Sequence, residues 1–128
     1  MKNQTGFIAF TSLIVIAAVA LAISTSVALM GIDSAKGSLS LSKSQETSAI
    51  AKSCLEEALV RLRDDTNYSG GNLSVGNGSC TVTVSGTGAD RTITSVGTIA
   101  GPPTYIKTIQ VVIKKAGGSI NVLSWQEL

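Results

Sequence analysis

Residues 6–30 read GFIAFTSLIVIAAVALAISTSVALM, and between Lys2 and Asp33 no side chain carries a charge. At about 1.5 Å rise per residue, roughly 24 mostly apolar residues in a helix cross a hydrocarbon core about 30 Å thick. The segment is therefore expected to enter a membrane as one helix. Lys2 is the single positive charge upstream of it, so the positive-inside rule places the amino terminus in the cytoplasm and the remainder on the far side. Two plainer readings compete. Met1 to Ala28 also has the outline of a secretory signal peptide, with Lys2 as the basic region and Ser26-Val27-Ala28 as a small-x-small end. Against that, the apolar run begins too close to Lys2 and is longer than the usual core of about 7–15 residues. A plain single-pass anchor is the other.

Length and composition bound the remainder of the chain. Of 128 residues, the first quarter is committed to leader and membrane, and about 60 to 95 remain for a soluble domain, near the lower limit for an independent core. A net charge of +2 with 4% aromatic residues is too mild to predict a nucleic-acid partner. The chain has no histidine, which removes the commonest general base and metal ligand, and two cysteines cannot make a structural zinc site unaided. No cofactor is expected.

Downstream of the span, residues 31–47 turn serine-rich, with Gly31 and Gly37 each costing a helix about 1 kcal/mol relative to alanine. This stretch reads either as a weak helix leaving the membrane or as a solvated neck. Helical periodicity returns in SAIAKSCLEEALVRLR, residues 48–63, where Ala51, Leu55, Ala58 and Leu62 recur at spacings of four, three and four. Glu57 and Arg61 form a favourable i,i+4 pair. Glu56 and Glu57 point about 100° apart on a helix and do not converge as a catalytic carboxylate pair. The helix is expected to stop by Asp64-Asp65, because the next residues, TNYSGGN, combine asparagine, serine and two glycines.

Beyond residue 67 the period changes to two. Cys80-Thr81-Val82-Thr83-Val84 alternates, Ile109 to Ile113 has β-branched composition, residues 91–99 and 120–125 read as further strands, and Leu73-Ser74-Val75 reads as a short edge. The connections are too short for crossover helices, so the strands form an antiparallel meander. A sheet of this size needs one face covered, and the only cover available is the amphipathic half of the long helix. Alternation puts Cys80 on the face of Val82 and Val84 that meets the helix. Cys54 sits on or beside the helix's apolar stripe. In an extracytoplasmic domain a Cys54–Cys80 disulfide is expected, closing a loop of about 27 residues and worth roughly 3 kcal/mol. Two buried free thiols are the alternative.

The junction that opens the span adds a family resemblance. The short polar leader MKNQTG ends in Gly6 and gives way abruptly to Phe7, and this resembles the leader of type IV pilins and pseudopilins. In that family a dedicated peptidase cuts after such a glycine. The new amino-terminal residue, here Phe7, becomes methylated and begins a long hydrophobic helix. The family's usual glutamate, fifth after the cut, is replaced by Thr11. In relatives that carry it, the glutamate pairs with a neighbouring subunit's amino terminus. Members lacking it look like minor subunits at or near a filament tip. If the segment is helical, the Thr11 hydroxyl can bond back to the Phe7 carbonyl.

The expected architecture is α+β and similar to the pilin fold: a leader (1–6), a membrane or filament-core helix (7–30), its continuation (31–66, amphipathic from about 48) and a small antiparallel sheet (67–128). The resemblance implies a structural subunit without enzymatic activity, working with a leader peptidase, an inner-membrane assembly platform and other pilin or pseudopilin subunits. It also implies eventual display at the cell surface or in a pilus. The cysteine pair departs from the family habit of placing both within the carboxy-terminal domain. A secreted or membrane-anchored β-rich binding module is the alternative function. Arg91, Lys107, Lys114 and Lys115 are the residues through which DNA would be bound, since some pilins take up DNA. They read better as a solvated sheet face, and alternation puts Lys107 opposite Lys114.

Overall fold

A computed structural model of the chain describes residues 3–128; Lys2, on which the orientation argument rests, lies outside the described residues. One helix, α1 (Gln4–Asp64), is followed by five strands: β1 (Gly70–Val75), β2 (Gly78–Ser85), β3 (Asp90–Ile99), β4 (Tyr105–Ala116) and β5 (Ser119–Glu127). The fold is α+β, with an antiparallel sheet in the order β1-β2-β3-β4-β5. The chain divides into two compact units, one ending at Ser40 and the other spanning Leu41–Leu128.

The first unit is helix alone, and every described residue in it is exposed. Gly31 and Gly37 do not interrupt α1. They are isolated, no proline lies between residues 4 and 64, and two penalties of about 1 kcal/mol are spread over a helix rich in Ala, Leu and Ile. The neck reading of residues 31–47 is thus replaced by continuous helix.

In the second unit the carboxy-terminal half of α1 covers one face of the sheet. The stripe read from the sequence, Ala51, Leu55, Ala58 and Leu62, is fully buried, and Thr47, Ile50 and Cys54 join it. Amphipathic character therefore begins slightly before residue 48. From the sheet come Cys80 and Val82 of β2, Ile93 and Ile99 of β3, and Ile109, Val111 and Ile113 of β4. Each set follows the period of two that puts alternate side chains on one face.

The β1–β2 and β4–β5 hairpins close through Gly76-Asn77 and Gly117-Gly118, two-residue turns whose first residue has positive φ, 57° and 62°. Such turns match the right-handed twist of paired strands.

Helix and sheet approach each other closely at Gly97. An added Cβ there would lie 2.8 Å from the Thr47 carbonyl oxygen and 2.9 Å from the Ala51 nitrogen. Two residues away, the buried Ser95 hydroxyl donates to the Ala51 carbonyl at 2.8 Å. The two small residues let the backbones meet and then tie them together.

At its other end α1 is closed from a distance. The last carbonyls of a helix lack intrahelical partners, and the Lys115 ammonium donates to the Leu62 carbonyl at 2.9 Å and to the Thr66 hydroxyl at 2.8 Å, with the Arg63 carbonyl at 3.4 Å. A cation at a helix carboxy terminus also complements the macrodipole. The Asp65 carboxylate accepts the Asn67 N–H at 2.9 Å and turns the chain toward β1.

Candidate functional site

The residues that carry the chain's most specific sequence signal, Gly6, Phe7 and Thr11, all lie in the first three turns of α1. A Cβ on Gly6 would meet nothing within 4 Å, so the fold sets no steric demand for glycine at this position. Phe7 is 69% exposed. The Thr11 hydroxyl lies 3.1 Å from the Phe7 carbonyl and 3.0 Å from the Ile8 carbonyl, so its one proton is shared between two backbone acceptors. Position 11 is thereby satisfied within its own helix.

The same solution recurs along the apolar segment. Ser12 donates to Ala9, Ser24 to Ala20, and Thr25 and Ser26 both to Ala22. In hydrocarbon an unpaired polar group costs several kcal/mol, and back-bonding to the preceding turn removes that cost. The helix is long and apolar enough to span a membrane, and none of its most apolar 18-residue stretch is buried within the chain. Ala17, Ala18, Ala22 and Thr25 leave a shallow recess between Ile14 and Leu21. Small residues of this kind permit close backbone approach between membrane helices.

In the sheet unit, Cys54 and Cys80 are joined as a disulfide, with their Cα atoms 6.5 Å apart. Both are almost fully buried. The bond links α1 to β2, across the interface that alternation and helical periodicity had assigned to both thiols.

The four basic residues do not form one solvated face. Lys115 closes the helix terminus, Lys107 lies 3.4 Å from Glu127, and Arg91 donates to the Gly88 carbonyl at 3.3 Å. Lys114 alone is exposed on the side of β4 away from α1. The physical reason is the parity of β3 and β4: Arg91, Lys107 and Lys115 share the side of Ile93, Ile109 and Ile113 and sit where that side emerges from beneath α1. Lys107 and Lys114 do lie on opposite faces, as alternation requires.

Two ion pairs along α1 perturb one of their members each. The Glu46 carboxyl is held below the usual glutamate range, chiefly by the Lys43 ammonium 2.8 Å away. Arg61 is raised by Glu57, also 2.8 Å away. Among the described residues no group of three or more His, Cys, Asp or Glu side chains is placed to hold a metal.

One apolar surface escaped the sequence reading. On β5, Val122, Leu123 and Trp125 are about half exposed or more, because α1 covers the central strands and stops short of this edge. An open groove of about 530 Å³ runs between Leu59, Val60 and Arg63 of α1 and Ile120 and Val122 of β5. The period-two pattern around INVLSW is broken by a bulge, with Val112 opposite Ser124 but Ile113 opposite Val122. That extra residue, Leu123, hides which side of β5 faces inward.

The chain matches no protein-family model, no curated protein and no solved structure at a significant level.

Proposed function

We propose that the chain is a minor pilin-like or pseudopilin-like structural subunit: inserted in the membrane through residues 7–30, processed after Gly6 and methylated on Phe7. It then moves laterally from the bilayer into a filament core, where apolar helix faces exchange lipid for helix contacts. Its partners are a leader peptidase, an inner-membrane assembly platform and other subunits of the filament, and it carries out no chemistry of its own. The observation that supports this most is a charge-free, wholly exposed apolar helix segment whose described hydroxyls close on their own backbone, continuous with the helix that covers the sheet. Thr11 fits a subunit near the tip. Where a glutamate would need a partner above it, a self-satisfied hydroxyl needs none.

Because no neighbour surrounds Gly6, Gly6→Leu separates processing from folding. The expected result is an intact leader, a folded disulfide-bonded sheet unit and loss from the sheared filament fraction. Filaments of normal yield carrying the uncleaved Gly6→Leu chain would contradict the proposal. Thr11→Glu is expected to spread the subunit along the shaft, read by label along filaments.

A further inference from the structure

Asn67-Tyr68-Ser69, Asn72-Leu73-Ser74 and Asn77-Gly78-Ser79 place an asparagine every five residues, each with a serine two positions on. With Asn3-Gln4-Thr5, four of the chain's five asparagines begin such a triplet. Serine and threonine make up about a quarter of the residues, so about one of five would be expected by composition alone. The N-x-S/T triplet with x other than proline is the acceptor signal for N-linked glycosylation.

Among the described contacts the side chains of Asn67 and Asn72 hold no part of the fold together, and that of Asn77 has only a slight role. Asparagine earns its place in turns by tolerating left-handed backbone, yet no non-glycine residue in the described chain has positive φ. Asn72 sits inside β1, and asparagine is depleted in strands. Asn67 lies in the turn after α1 and engages Asp65 through its backbone N–H alone. Asn77 occupies the β1–β2 turn, where its side chain adds a minor contribution to the lowered Glu46 carboxyl. All three asparagines and all three serines are exposed. They are gathered along one edge of the sheet, since among the described residues β1 pairs with β2 alone.

We propose that Asn67, Asn72 and Asn77 are acceptors for N-linked glycans delivered from a lipid-linked glycosyl diphosphate. In each transfer the carboxamide nitrogen bonds to the anomeric carbon of the donor sugar. The anomeric C–O bond to phosphate breaks, its electron pair leaves with the lipid diphosphate, and the amide gives one proton to the transferring enzyme's base. The triplet's serine hydroxyl orients the carboxamide. Glycans here would cover an edge strand whose unpaired N–H and C=O groups otherwise invite pairing with another chain. This assignment rests on the extracytoplasmic placement of the sheet unit. Asn3, upstream of the span, is on the opposite side of the membrane and stays unmodified.

One digest reads both the modification and the placement. Residues 64–90 contain no Lys or Arg, so trypsin leaves Asn67, Asn72, Asn77 and Cys80 in a single peptide. The disulfide ties that peptide to residues 53–61, which carry Cys54. Full-length protein is extracted from its native membrane, thiols are blocked, and the crosslinked pair is weighed. The expected mass exceeds the peptide mass by one to three glycans, with Asn67 in the open turn the most completely occupied. Additions fall away one at a time in Asn67→Gln, Asn72→Gln and Asn77→Gln, and equally in Ser69→Ala, Ser74→Ala and Ser79→Ala, which leave the asparagines in place. A crosslinked pair of unmodified mass overturns the glycan assignment while leaving the extracytoplasmic placement standing. Free thiols with an unmodified peptide overturn both. Additions that survive the triple asparagine variant overturn the choice of acceptor.

Discussion

Gly97→Ala adds a single methyl group to β3 and should be among the costliest small changes in the sheet unit. The new Cβ would stand 2.8 Å from the Thr47 carbonyl oxygen, 2.9 Å from the Ala51 nitrogen and 3.0 Å from the Ala51 Cβ. None of these atoms is the tip of a flexible side chain, so the strain can be relieved only by moving α1 away from the sheet. Overpacking of this kind costs about 1–3 kcal/mol. Withdrawal of the helix also stretches the buried 2.8 Å bond from Ser95 to the Ala51 carbonyl, a further loss of about 1 kcal/mol. For a domain of about 90 residues, a total of about 2–4 kcal/mol lowers Tm by roughly 10–25 °C. Thermal melts of the full chain in detergent, followed by circular dichroism in the β-sheet region, measure this. Gly71→Ala is the control, because a Cβ there meets nothing within 4 Å, and it should change Tm by no more than a few degrees. Adding Ala51→Gly to Gly97→Ala should recover little, since two of the three obstructing atoms are backbone. Equal stability of Gly97→Ala and Gly71→Ala would refute the close approach of helix and sheet.

Three further outcomes rest on other contacts. Lys115→Met removes the donor that reaches the Leu62 and Arg63 carbonyls and should cost about 1–2 kcal/mol, with faster amide exchange in the last turn of α1 as the local readout. Cys54→Ala and Cys80→Ala should each lower stability by about 3 kcal/mol or more in oxidising buffer. The double variant should lose little beyond either single one because both remove one crosslink, whereas additive losses would contradict the bond. The Glu46 carboxyl, lowered by Lys43, stabilises the folded state above the ordinary glutamate pKa and loses that effect as pH falls through its lowered value. Lys43→Met should therefore move the Glu46 titration, followed by NMR, upward toward the ordinary range.

Much of the architecture was legible because it rests on periodicities that one dominant interface enforces. Ala51, Leu55, Ala58 and Leu62 announce the covering stripe, and Cys80, Val82 and Val84 announce the face that meets it. From those two patterns the Cys54–Cys80 pairing follows without any long-range information. The strand β3 is different: its inward positions run Ile93, Ser95, Gly97, Ile99, and the middle two look like solvent-facing residues. They are small because α1 passes there at backbone distance, a constraint set by a partner more than 40 residues away in the chain. Lys115 is hidden for the same reason, since its acceptors at Leu62 and Arg63 precede it by 53 and 52 residues. The continuity of α1 through Gly31 and Gly37 was ambiguous because helix propensity alone is a weak determinant when no packed face is present to read. The half-exposed Trp125 and its neighbours on β5 were obscured by the bulge at Leu123, which shifts the alternation partway along the strand.

The central claim, that residues 7–30 serve as a processed assembly helix, is tested most directly by the intact mass of the protein extracted from its native membrane. The amino terminus is fixed by fragmentation of the first residues. The expected product is a chain beginning at methylated Phe7, shorter by six residues, and recovered in the membrane and sheared-filament fractions. A chain beginning near Leu29 and recovered free of the membrane would contradict that claim.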